Sequence, residues 1–125
     1  MHKSKLAGFI IDCKTNNLQE AAQFWGNALG MEVQKLPDEE GDKYIKLIDN
    51  NTNLHIEVQS VEHQSRVHLD IETDDIDAEV KRLEKLGANI VNYVNTWCVM
   101  QAPTGQKFCV VRKESIEFEN QSKKW

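Results

Sequence analysis

Apolar and polar positions along the chain change period in a regular way, and the period names the elements. Leu6 to Cys13 is apolar apart from Asp12, with β-branched residues at its centre, and reads as a strand. Asn16-Asn17 follows as a turn and cap signal, and Asn17 with Glu20 three residues on has the spacing of a capping box. Leu18, Ala21, Ala22, Trp25, Ala28 and Leu29 then recur at helical spacing, with Gly30 as a left-handed stop. Met31 to Leu36 alternates weakly, as a short strand. Pro37 to Asp42 is acidic and Gly-containing, the pattern of an exposed loop. Tyr44 to Ile48 and Leu54 to Val58 alternate as two arms of a hairpin around the turn formers Asp49-Asn50-Asn51-Thr52-Asn53. Ser60 to Arg66 is polar and reads as a linker.

The second half follows the same plan. Val67 to Ile71 reads as a strand, and Asp74-Asp75 caps a helix whose apolar stripe is Ile76, Val80, Leu83 and Leu86. Glu79, Lys81, Arg82, Glu84 and Lys85 fall on the wet side, and Gly87 stops the helix. Ile90 to Val94 is a strand. Trp97 to Gln101 and Lys107 to Arg112 make a hairpin around Ala102-Pro103-Thr104-Gly105-Gln106. The tail from Lys113 to Trp125 is charged and polar apart from Ile116, Phe118 and Trp125, and is expected to be a loosely attached extension.

This is β-α-β-β-β twice, and the sequence itself carries the duplication. Ile10 to Leu18 aligns without a gap on His68 to Ile76, at a constant offset of 58 (68 − 10). The Asp, Thr and Asn/Asp-pair positions recur in order, and both helices stop at Leu-Gly, Leu29-Gly30 and Leu86-Gly87. The expected organisation is one domain over 1–125. Its first unit covers about 6–59, a linker 60–66, the second unit 67–112 and an extension 113–125.

Composition narrows the class of function. At 125 residues, 40% apolar, the chain has enough hydrophobic surface for a sizeable core. A net charge of −5 argues against nucleic acid and anionic membranes as partners. No window approaches a membrane span, and the first residues lack a signal-peptide apolar run, so a cytoplasmic protein is expected. Cys13, Cys98 and Cys109 are odd in number and have no C-x-x-C spacing, which reads as reduced, partly buried thiols. There is no Gly-rich phosphate loop, nucleophile elbow or His-rich metal motif, so phosphoryl transfer, serine hydrolysis and dinucleotide chemistry have no support.

The doubled β-α-β-β-β unit, the Leu-Gly helix ends, the segment Arg66-Val67-His68-Leu69-Asp70 and the hairpin Ala102 to Phe108 together resemble the vicinal oxygen chelate superfamily. This is the group of glyoxalase I, bleomycin-resistance proteins and extradiol dioxygenases, and the likeness to its small glyoxalase-like domains covers about residues 6–112. The resemblance implies an α+β fold in which two β-α-β-β-β units form a curled mixed sheet, as half-barrels around a cleft. It also implies a homodimer. In the metal-dependent members, four residues on the first and last strands of the two units hold a divalent cation in the cleft.

The matching positions here are Ile10, Glu57, His68 and Cys109. Ile10 has no donor atom, and the glyoxalase-type pattern of His, Gln and Glu survives at only two of the four. Glu57 and His68 therefore read as a hydrogen-bonded polar pair without metal, the adopted expectation being no cofactor. The alternative is a Zn or Ni ion held by Glu57, His68 and Cys109.

Further candidate residues accompany this set. His55 shares a strand face with Glu57 and is either a half-exposed histidine or a second polar contact to a ligand. Trp97 begins a strand and either packs or lines a cleft mouth where a flat ligand stacks. Trp25 belongs to the apolar stripe of its helix. Asp12 and Asp70 match across the repeat, and that symmetry favours carboxylates accepting backbone N–H bonds near each helix start. His2 and His63 sit in polar segments and read as exposed.

Three functions remain. The first is a small-molecule binder whose cleft is lined by Ile10, His55, Trp97 and Cys109, with Glu57 and His68 orienting a polar group. The second is a lyase or isomerase in which Glu57 and His68 serve as acid and base beside a carbonyl, with or without a metal. The third is an interaction module with a filled cleft.

Overall fold

The computed structural model describes residues 1–37 and 42–125; positions 38–41 of the expected acidic loop lie outside the described residues. The elements run β1 (Lys3–Lys14), α1 (Leu18–Leu29), β2 (Glu32–Lys35), β3 (Tyr44–Ile48), β4 (His55–Val61), β5 (Arg66–Thr73), α2 (Ile76–Lys85), β6 (Asn89–Val94), β7 (Trp97–Gln101), β8 (Lys107–Arg112), α3 (Phe118–Gln121) and β9 (Lys123–Lys124). The class is α+β, and the β-α-β-β-β order occurs twice, as the sequence pattern predicts. The chain divides into two units, Phe9–Val67 and the combination of Met1–Gly8 with His68–Trp125.

In the Phe9–Val67 unit the strands lie in the order β2-β3-β4-β1. Helix α1 begins where the cap signal puts it. Asn17 Oδ1 accepts from Glu20 N at 3.0 Å, and Asn17 Nδ2 donates to Glu20 Oε2 at 3.2 Å. The glutamate thus reaches the side-chain amide of the cap, because the backbone N–H of Asn17 already donates to Thr15 Oγ1. Gly30 ends the helix at φ 69°, a conformation that costs most side chains strain. Strict alternation in β3 and β4 sets Ile45 across from Val58 and Leu47 across from Ile56, all buried on α1 together with Ile11 and Ala22. The opposite face of the same two strands carries Tyr44, Lys46, His55, Glu57 and Gln59, each half-buried.

In the other unit β5, β8, β7 and β6 lie side by side, and β9 pairs with Lys3 and Ser4 of β1. Asp75 caps α2 by accepting from Ala78 N at 3.0 Å. Val80 and Leu83 pack with Ala88, Cys98, Met100 and Val110 as the core. Two expectations for this helix are corrected. Leu86, placed on the apolar stripe, is the C-cap residue beyond the last turn and is 66% exposed. Glu79, placed on the wet side, is 0% exposed, because His2 Nε2 at 2.7 Å and both Arg82 Nε and a terminal guanidinium nitrogen at 2.9 and 2.8 Å satisfy its carboxylate. His2, read as exposed, is accordingly held inside this network.

The extension after Lys113 is docked, not loose. Phe118 is 2% exposed, Glu119 bridges Lys3 and Lys113 at 2.8 and 3.0 Å, and Ser115 Oγ donates to the buried Glu72 at 2.6 Å. Trp125 closes the segment with its Nε1–H on Ser4 Oγ at 2.8 Å. The strands at 55–61 and 66–73 also run further than the pattern indicated, so the expected linker over 60–66 shrinks to the turn between them.

Candidate functional site

Each unit presents one polar strand face, built by the two-residue period of its strands. On the Phe9–Val67 unit, β3 and β4 pair Tyr44 with Gln59 and Lys46 with Glu57. Gln59 Nε2 donates to the Tyr44 hydroxyl at 3.1 Å, and His55 Nε2 lies 3.2 Å from Glu57 Oε1. The side chains of His55 and Glu57 are 29% and 12% exposed, so this imidazole–carboxylate contact is largely shielded from water. Ile10 alternates with the core residue Ile11 and is 2% exposed. Asp12, two residues along β1, has its carboxylate 3.6 Å from Arg66 Nε.

On the other unit the polar face centres on β5 and β8. His68 and Asp70 project from the same side of β5, with Nε2 to Oδ1 at 3.6 Å. The parallel register pairs Asp70 with Cys109, and Cys109 in turn pairs with Val99 of β7. One ligand atom from each of His68, Asp70 and Cys109 lies within 4.8 Å of the others. Trp97 opens β7 and is half-buried.

The three cysteines are free thiols. Burial pushes the Cys98 thiol up, against a hydrogen bond from Tyr93 that lowers it. Burial also raises Cys13, against a contact with Trp25. Neither has the electropositive surroundings that activate a thiol.

The four positions that the family resemblance assigns to a metal divide between the units, Ile10 and Glu57 on one and His68 and Cys109 on the other. They do not fit the family's donor set. Ile10 is a buried hydrocarbon, Glu57 is engaged by His55, and a thiol replaces the fourth oxygen or nitrogen. Asp70 reads from the sequence as a structural carboxylate and not as a site residue. Its symmetry with Asp12 pointed to backbone capping, yet the helices are capped by Asn17 and Asp75, and Asp70 faces His68. The signal was present in the two-residue spacing of His68 and Asp70, which puts both on one strand face.

Residues 8–111 match the family model described as a glyoxalase-like domain. Among curated proteins none matches the chain. Among solved structures, methylmalonyl-CoA epimerase from Mycobacterium tuberculosis superposes with a TM-score of 0.62 at 15% identity, covering 87% of each chain. A variant methylmalonyl-CoA epimerase from Streptomyces coelicolor, in complex with 2-nitronate-propionyl-CoA, gives 0.56 at 14% identity, over 86% of this chain and 94% of that one. A glyoxalase/bleomycin resistance protein/dioxygenase superfamily member from Vibrio splendidus 12B01 gives 0.55 at 19% identity, over 87% and 100%. At these identities the solved structures establish the shared fold.

Proposed function

The chain belongs to the glyoxalase-like domain family, and on that premise we propose that it binds a small organic molecule against the polar strand face of its Phe9–Val67 unit. The observation that carries this reading is the half-buried row Tyr44, Lys46, His55, Glu57 and Gln59, set directly behind an apolar core. Small-molecule sites combine apolar surroundings with a few convergent polar groups that fix orientation. Lys46, Tyr44 and His55 can donate, and Glu57 and Gln59 can accept. This suits a ligand with a carbonyl or carboxylate beside an apolar body, such as an acyl thioester or a short organic acid. The acyl-CoA ligand of a structural relative is of that class. Ile10 contributes no donor, so the reading routes no step through the family's metal position. A cytoplasmic location and, by family resemblance, a homodimer are part of the same proposal, the net charge of −5 argues against nucleic acid as a partner, and no described helix is long and apolar enough to cross a membrane.

Thermal unfolding tests the reading. A ligand at a hundred times its Kd stabilises the folded state by about 2.7 kcal/mol. Acyl-CoA thioesters, short organic acids and dicarbonyl compounds are the probes. A shift that vanishes in Glu57→Gln and Lys46→Met supports the proposal, and no shift with any of the three classes overturns it.

A second reading, an isomerase or lyase, is favoured by the His55–Glu57 contact at 3.2 Å. A shielded carboxylate and imidazole can take a proton from the carbon next to a carbonyl and return it. Solvent deuterium entering that position of a bound acyl thioester, and failing to enter in His55→Gln, is the expected result. No exchange in the native protein removes the catalytic reading and leaves the binding one standing.

A further inference from the structure

We infer that strand β6, Asn89–Val94, is a docking edge for a second copy of this chain, paired antiparallel about a two-fold axis. The pairing rests on the homodimer that family resemblance implies and gives it a surface. It is independent of the polar ligand face, which belongs to the other unit.

Backbone geometry leaves the edge available. β6 ends the row β5-β8-β7-β6, and among the described residues it hydrogen-bonds to β7 alone. Its other side presents N–H and C=O groups that a further strand can take. Sheet edges are commonly guarded by charge or proline. The edge strand β2 of the other unit has Glu32 and Lys35 at its two ends. β6 carries neither guard. It lies in the segment Leu86 to Gln106, the longest run of the chain without Asp, Glu, Lys, Arg or His. The chain is otherwise rich in charge, at 28%, with a net −5, so two copies carry like charge and this run is where they can approach without facing it. The charges that act on Tyr93, those of Asp77 and Glu84, come from α2 and not from the strand.

Side chains supply apolar surface on the same edge. Ile90, Val91 and Tyr93 are 40%, 44% and 54% exposed, and Leu86 at the end of α2 is 66% exposed. A bulge makes this surface self-complementary. Ile90 pairs with Met100 and Asn92 with Val99, so Val91 is an extra residue in the ladder. Tyr93 then pairs with Cys98, and because Met100 and Cys98 both face the core on α2, Ile90 and Tyr93 share that face although they are three residues apart. In a regular strand they would point to opposite faces. A two-fold copy running antiparallel can therefore set Ile90 against Tyr93 of the partner subunit and Tyr93 against Ile90 of the partner subunit. Asn89 and Val94 match in the same way on the other face, where they pair with Gln101 and Trp97.

This symmetry selects the occupant. Pairing of two β6 edges consumes both, so assembly closes at the dimer and leaves no edge to propagate a filament. A six-residue strand and one helix end make a contact at the small end of protein interfaces, below about 1,200 Å² in total, so the dimer is reversible and its population depends on concentration.

Sedimentation velocity of the full chain across the micromolar range, with hydrogen exchange of its peptides at the two ends of that range, tests the pairing. The expected result is a monomer–dimer equilibrium, with amides of Asn89–Val94 exchanging more slowly at high concentration and those of Glu32–Lys35 unchanged. Tyr93→Lys and Ile90→Lys each put a like charge on both edges and weaken dimerisation by about tenfold or more. Phe24→Lys, at an exposed apolar residue of α1, leaves it within about twofold. A native chain that stays monomeric overturns both the pairing and the homodimer. A dimer whose β6 amides exchange independently of concentration, or that survives both lysine variants, overturns the pairing and leaves the homodimer standing on another surface. Assembly beyond the dimer overturns the two-fold closure. Circular dichroism of each variant separates lost association from lost fold, and the exchange measurement needs no variant.

Discussion

The guanidinium carbon of Arg82 lies 3.8 Å from the ring centroid of Trp125, which stacks a residue of α2 against one that follows β9. The contact is one part of a connected network. Trp125 also donates its indole N–H to Ser4 Oγ and its backbone N–H to the His2 carbonyl at 2.9 Å. Arg82 in turn holds Glu79, which accepts from His2. A segment with little apolar character is thereby fixed to β1 and α2 by directional polar contacts.

Trp125→Ala should destabilise the fold by about 2 kcal/mol, combining a partly exposed cation–π contact of about 1 kcal/mol with a hydrogen bond of similar size. Trp125→Phe keeps the ring and loses only the N–H donor, so its cost should be near half. Urea unfolding monitored by circular dichroism checks this: the midpoint should fall with an unchanged m-value. Equal losses in the two variants would show that the ring stack contributes nothing.

Glu79 should make this network acid-sensitive. Burial pushes its carboxyl up, but hydrogen bonds from Arg82, His2 and Ser4 outweigh burial and hold it below its ordinary value of 4.5. A carboxylate depressed in the folded state contributes stability that is complete above the unfolded value and is lost as pH falls through the folded one. Stability attributable to Glu79 is therefore flat above pH 4.5 and declines below it. Glu119, held at about 2 by hydrogen bonds from Lys3 and Lys113, adds to the decline further into acid. Glu79→Gln should cost about 3 kcal/mol at neutral pH, because Arg82 loses its buried partner. The difference between native and variant stability should narrow as pH is lowered from 4.5, and a constant difference would contradict the assignment.

What the sequence made visible follows from range. Alternation alone places Ile45, Leu47, Ile56 and Val58 in the core and Tyr44, His55 and Glu57 on the opposite face, since a strand's two-residue period is local. The Asn17–Glu20 cap is equally local. The docking of the extension was not legible, because a four-residue helix shows no period and Phe118 is a single apolar residue in a charged run. Glu79 was misplaced for a related reason: amphipathic pattern sends a charge outward, and the partner that keeps it inside, His2, is 77 residues away. At the site, His68 and Asp70 could be put on one face by spacing. Cys109 could not be set beside Asp70, since the pairing depends on the parallel register of β5 and β8.

The thiols should differ in reactivity. Cys98 is 0% exposed and its thiol is pushed up by burial, so both access and thiolate fraction are low. Alkylation of the native chain at neutral pH, read by mass spectrometry of peptides, should leave Cys98 unmodified after Cys109, which is only half-buried, has reacted. In denaturant the three should become equivalent. Native labelling of Cys98 at the rate of Cys109 would mean that the core around Met100 and Val110 opens readily.

Gly26 shows how a favourable helix substitution is reversed by packing. Replacing a mid-helix glycine with alanine gains about 1 kcal/mol of helix propensity. A Cβ at position 26, however, would stand 2.7 Å from Val33 Cγ2 and 3.1 Å from the Met31 carbonyl oxygen. Overpacking of that kind costs about 1–3 kcal/mol. Gly26→Ala alone should therefore be destabilising by about 1 kcal/mol after the propensity gain is subtracted. Adding Val33→Ala removes the nearer clash and leaves the carbonyl contact and an ordinary van der Waals contact with Leu47 Cδ2 at 3.8 Å. In the Val33→Ala background Gly26→Ala should become neutral or stabilising, so a double-mutant cycle in chemical denaturation should show coupling of about 1 kcal/mol or more. Additive costs would show that the helix, and not the Val33 side chain, refuses the methyl group.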